Sequence, residues 1–156
     1  MATLTVWRFD EADGAARSAD RLGQLVLDDP LAIHDAAVVE WEAGDRKPRT
    51  RQLAGELGGG FWGLLLGLVF FVPLLGAAIG TTTGALTGAL TDVGIDDHFI
   101  NRVRDQVTPG TSALFLLTAD AVVGRVHEGL AELRPTVIAA HLDDDQEAAL
   151  RAVFGD

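Results

Sequence analysis

The sequence predicts an α+β fold, in which a small antiparallel sheet carries helices and an apolar helical hairpin is inserted into the chain. Three observations predict it. Four runs rich in β-branched and aromatic residues, 3–9, 34–41, 113–118 and 136–142, alternate with segments whose apolar residues recur at helical spacing. Residues 57–91 contain no charged side chain and only one proline, Pro73. Within and just before that stretch, glycines recur at a four-residue step on either side of Pro73.

The first run, Thr3 to Phe9, reads as a strand that ends at the polar cluster Asp10, Glu11, Asp13 and Gly14. A helix follows, because Ala12, Ala15, Ala19, Leu22 and Val26 fall on one helical face until Asp28, Asp29 and Pro30 stop it. His34 to Trp41 reads as the second strand, closed by Gly44. Beyond the apolar stretch, Asp96 is placed to cap a short helix carrying Phe99, Ile100, Val103 and Val107, which Pro109-Gly110 ends. Ala113 to Thr118 is the third strand. Asp120 is expected to cap a helix with Val123, Val126, Leu130 and Leu133 on one face, and Thr136 to Leu142 is the last strand. A final helix spans Asp143 to Phe154.

With the hairpin set aside, the order is βαββαβ plus two surplus helices, which is the order of a ferredoxin-like sheet with two helices on one face. Residues 1–52 and 92–156 would then form one discontinuous domain, and 53–91 would be the insert, projecting from one end of the sheet. Leu114, Phe115, Leu116 and Leu117 are apolar on both parities, so the far face of the sheet also needs a cover. The surplus helices or another subunit could supply it, and a subunit contact is the favoured expectation.

Gly55, Gly59, Gly63 and Gly67 lie four apart, as do Gly76, Gly80, Gly84 and Gly88. At 3.6 residues per turn each series forms a smooth stripe on nearly one helix face. Each glycine in a helix costs roughly 1 kcal/mol relative to alanine, a cost that close backbone contact between two helices can offset. The stretch therefore reads as two helices packed through their glycines, with Pro73 starting the second. A flexible linker would carry serine and polar residues instead. The turn is also apolar, with Phe70, Phe71, Pro73 and Leu74 at the tip, so the expectation is a tip placed in lipid or among other copies of the chain.

Just before the stretch, Arg46, Lys47, Arg49 and Arg51 gather four of the twelve basic residues, and they are candidate contacts for anionic headgroups or for an acidic neighbouring copy. The bland alternative is a solubilising loop. The net charge of −11 excludes nucleic acid as an expected partner. With no cysteine, disulfides, thiolate metal sites and a cysteine nucleophile are excluded. The opening residues do not read as a signal peptide, and the expected location is the cytoplasm or the cytoplasmic face of the inner membrane.

Little else points to chemistry. His34, His98, His127 and His141 lack the short spacings of a metal site. Asp143, Asp144 and Asp145 stand where helix capping favours acids, and Asp92, Asp96 and Asp97 around Gly94 read as a turn and cap. The cluster Gly58, Gly59, Gly60 and Gly63 lacks the preceding strand and following Lys-Ser or Lys-Thr of a phosphate loop. No catalytic residue, metal or cofactor is expected.

The glycine-stepped hairpin, followed by TDVGIDDHFINRV and then PGTSALFLL, resembles a bacterial family known only as a domain of unknown function, DUF1269, often labelled a predicted membrane protein. The resemblance runs over nearly the whole chain. It implies a ferredoxin-like domain with an inserted hairpin and supplies no activity or catalytic residue. The functional expectation is a non-enzymatic, self-assembling homo-oligomer whose glycine-zipper hairpin packs in lipid or within the oligomer. The alternative is a small-molecule-binding regulatory module that the hairpin anchors or oligomerises.

Overall fold

The computed structural model describes residues 2–28, 33–55, 59–71, 90 and 93–154. Its sheet has five strands, β1 (Ala2–Phe9), β2 (Ile33–Glu40), β3 (Arg49–Gly55), β4 (Ser112–Ala119) and β5 (Thr136–Leu142), in the order β3-β2-β4-β1-β5. Every neighbouring pair is antiparallel. The helices are α1 (Gly14–Asp28), α2 (Gly59–Leu66, continued by a π-helical turn over Gly67–Phe71), α3 (Asp97–Gln106), α4 (Val123–Leu130, flanked by short 3-10 turns) and α5 (Asp144–Phe154).

The central strand β4 explains why both faces of the sheet are covered. Leu114 and Leu116 point to the face occupied by α1 and α4, where Ala15, Leu22, Val126 and Leu130 are buried with Trp7 and Val38. Ala113, Phe115 and Leu117 point to the other face, where they join Leu4, Val6 and Ile138 beneath α2, α3 and α5. A strand buried on both sides loses its polar parity, as the sequence of β4 does. The far face is thus covered by helices of the same chain, which corrects the expectation that a second subunit would supply the cover.

Three further expectations are corrected. The segment carrying Arg49 and Arg51 is a strand and not a loop: Arg49 pairs with Glu40, Thr50 with Val39 and Arg51 with Val38. Tertiary pairing overrides the weak β propensity of this charged stretch. Gly55 accordingly ends β3 and does not start a helix, and β3 runs through the boundary at 52/53 where the insert was placed. The first arm of the insert lies across the sheet and does not project from its end, because Phe61, Trp62, Leu65, Leu66, Leu68, Val69 and Phe70 all belong to the same core cluster as β1 and β4. At roughly 1.5–3 kcal/mol for each large apolar side chain removed from water, that burial decides where an uncharged arm goes.

The capping expectations divide. Asp96 accepts the Phe99 N–H at 2.9 Å, and Asp143 and Gln146 form a reciprocal capping box with N···O distances of 2.8 and 3.0 Å. Asp120, in contrast, caps nothing with its side chain; it starts the 3-10 turn before α4, and its carboxylate instead accepts the Thr3 hydroxyl at 2.5 Å.

Candidate functional site

The arm Gly59–Phe71 has no polar face, so position along the helix, and not amphipathic contrast, sets which side is buried. Aromatic contacts fix it at both ends. Trp62 meets Phe115 of β4 edge-on at 6.1 Å between ring centroids and Phe61 at 4.9 Å, while Phe70 meets Trp41 edge-on at 5.9 Å. With those rings against the sheet, Gly63 is exposed and Gly67 half-buried. A Cβ built at either glycine would meet nothing within 4 Å among the described residues. The two glycines therefore form an open, smooth strip on the outward side of the arm.

The end of the arm is held by a residue that sequence reasoning missed. A π-helical turn interrupts the regular ladder of helical hydrogen bonds and leaves carbonyls to be satisfied elsewhere. Arg104 of α3 donates from Nη2 to the Leu68 carbonyl at 2.7 Å and from Nε to the Val69 carbonyl at 3.0 Å. Asn101 Oδ1 steadies the same guanidinium at 3.0 Å. A cation at the C-terminal end of an arm also complements its dipole. The only trace in the sequence is an arginine one turn after Ile100 on an apolar helix face, 35 and 36 residues away from the two carbonyls it binds.

Arg46, Lys47, Arg49 and Arg51 come together on the β2–β3 hairpin, and all but the turn pair belong to the sheet. The hairpin is shaped by Gly44, whose φ of 93° suits glycine, and by Trp41, whose indole N–H donates to the Asp45 carbonyl at 3.0 Å. Trp41 also exchanges backbone hydrogen bonds with Thr111 and Gly110, which ties the hairpin to the start of β4. Arg49 has Glu42 as a distant ion partner at 3.8 Å. Of the other predicted site residues, Gly59 opens α2, while Pro73, Leu74, Gly76, Gly80, Gly84 and Gly88 lie outside the described residues, as does the side chain of Phe71. Phe70, expected at a tip in lipid or between copies, is buried against the chain's own Trp41.

A polar cluster on the α1/α4 side was also not foreseen. Thr3 Oγ1 lies 3.1 Å from His141 Nδ1 and donates to Asp120. The hydroxyl stands between the imidazole and the carboxylate, whereas a nucleophile relay places the imidazole in the middle. The arrangement ties β1 to β5 and to the start of α4. Among the described residues, no group of three His, Asp or Glu could hold a metal ion. Among the same residues, no helix is long and apolar enough to cross a membrane.

A family model described as "Protein of unknown function (DUF1269)" matches residues 56–155. The chain belongs to the DUF1269 family. The match takes in the arm, α3, β4, α4, β5 and α5, so the DUF1269 region contains the entire helical cover of the far face. It leaves out β1, α1, β2 and β3, a narrower span than the resemblance suggested. No curated protein and no solved structure matches the chain.

Proposed function

We propose that this DUF1269 protein is a non-enzymatic, self-assembling protein whose apolar arm supplies the contact. The observation that carries the reading is the outward strip at Gly63 and Gly67, which among the described residues has room for an approaching backbone. A helix that placed glycines there only to fill its own core would turn them toward the sheet. Helix pairs packed through small residues four apart approach closely, and that approach offsets the propensity lost to glycine. The strip would meet either another glycine-stepped helix or lipid, and the whole assembly would sit in the cytoplasm or on the cytoplasmic face of the inner membrane, without nucleic acid.

We read the sheet as ferredoxin-like with β3 added at one edge. The order β5-β1-β4-β2 and the placement of α1 and α4 on a single face support that reading. The alternative of a small-molecule-binding module draws on a cleft lined by Phe9, Arg17, Glu132 and Arg134, where Arg134 holds a left-handed backbone with φ of 54°. Purified protein in the presence and absence of mild detergent separates the readings. Self-assembly predicts a particle well above the 16.5 kDa chain mass in light scattering, whereas a monomer under both conditions overturns it.

A further inference from the structure

The outer edge of β3 is unpaired among the described residues. Arg49, Thr50, Arg51, Gln52 and Leu53 are all exposed, although α2 lies close to the strand. Leu53, 39% exposed, is the large hydrophobic side chain left most open among the described residues. Such an edge offers alternate backbone N–H and C=O groups to an incoming strand. The cross-strand register puts Arg49 and Arg51 on one face of the sheet, opposite Glu40 and Val38. Arg46 and Lys47 extend the positive charge into the adjoining turn.

Electrostatics decides what could occupy the edge. The chain carries 23 acidic residues, yet among the described residues no carboxylate pairs with Arg46, Lys47 or Arg51, and Arg49 reaches Glu42 only at 3.8 Å. A second copy pairing β3 against β3 is disfavoured. Opposed residues in an antiparallel pair share a face, so the arginines of both copies would crowd together. An extended segment with acidic side chains at alternate positions meets the same edge favourably, because its carboxylates fall beside Arg49 and Arg51 while its backbone continues the sheet. The arginines thus repel self-pairing and admit an acidic strand.

We propose that the β3 edge, with Arg46, Lys47, Arg49 and Arg51, is a docking site for an acidic extended peptide segment, which adds to the sheet as a sixth strand. The inference is independent of the glycine strip. It is tested with a fluorescein-labelled peptide of alternating Glu and Thr, its alternating Lys and Thr counterpart, and a backbone N-methylated form of the acidic peptide. Anisotropy should report binding of the acidic peptide alone, weakened by added salt, and amide exchange in β3 should slow on binding. Arg51→Glu, at an exposed side chain, should weaken binding by about tenfold or more, since a charge-assisted hydrogen bond is lost and a repulsion gained, with the circular dichroism spectrum unchanged. Absence of binding, equal binding of the Lys peptide or the N-methylated peptide, or binding without slowed β3 exchange overturns the proposal. So does binding to phosphatidylserine-containing vesicles through the same arginines with no binding of the peptide, which would assign the patch to a lipid surface.

Discussion

The two faces of the sheet are not buried alike, since the far face has, beside α3 and α5, a helix of a different kind. On one, α1 and α4 are amphipathic, and their apolar residues alternate with Arg17, Asp20, Arg21 and Glu128 facing water. On the other, α2 has no polar side at all and must be oriented by aromatic contacts, by the Arg104 clamp and by the exposure of its glycines. The first kind of helix has one face to bury and buries it. The second still presents an uncharged surface after the sheet has been covered, and that surplus is what points to assembly.

The comparison can be broken most severely at matched leucines. Leu65 of α2 and Leu116 of β4 are both fully buried, on opposite faces. If the arm is integral to the fold, Leu65→Ala and Leu116→Ala should each cost about 2–5 kcal/mol in urea unfolding. A negligible loss for Leu65→Ala alone would make the arm a peripheral attachment, and deletion of the insert would then leave the sheet intact. The core contacts of α2 predict the opposite, namely that deleting the arm exposes Phe115 and destabilises the domain.

Arg104→Ala should cost about 1–3 kcal/mol, because two carbonyls near the end of the arm lose a charged donor. Arg104→Lys should recover only part of it, since an ammonium lacks the planar fork that spans both oxygens. Thermal unfolding of the three proteins measures the difference. Asp96→Ala should remove about 1 kcal/mol by uncapping α3. The smallest expected change is at Trp62, whose buried indole N–H has no hydrogen-bond partner among the described residues. Trp62→Phe keeps an aromatic ring against Phe115 and removes the unpaired donor, so chemical denaturation should show a near-neutral or slightly stabilising effect.

How far the fold was legible follows from the same contrast. The four core strands and the helices α1, α3, α4 and α5 are readable from their period, and at α3 and α5 the caps Asp96 and Asp143 agree with it. The edge strand β3 was not readable, since Arg49, Thr50, Arg51 and Gln52 are polar on both parities and only pairing with β2 makes them a strand. The position of the arm was hidden for the reverse reason: an apolar segment without a polar side gives no direction. Gly63 and Gly67 were legible as a stripe, but which way it faces depends on how Phe61 and Trp62 pack with Phe115, a residue distant in sequence, and that packing appears only in three dimensions. Arg104 and the Thr3, Asp120 and His141 cluster depend on similarly distant contacts.

The outward direction of the stripe is the claim on which the functional reading stands, and two open helical glycines test it directly. Among the described residues, Gly63 in α2 and Gly124 in α4 both have no neighbour within 4 Å of a built Cβ, so leucine at either position should leave the fold intact and improve helix propensity. Sedimentation equilibrium of the wild type, Gly63→Leu and Gly124→Leu should show a large particle for the wild type and Gly124→Leu, and a species near 16.5 kDa for Gly63→Leu. Equal masses for all three proteins, with Gly63→Leu still fully folded, would contradict assembly through the glycine face.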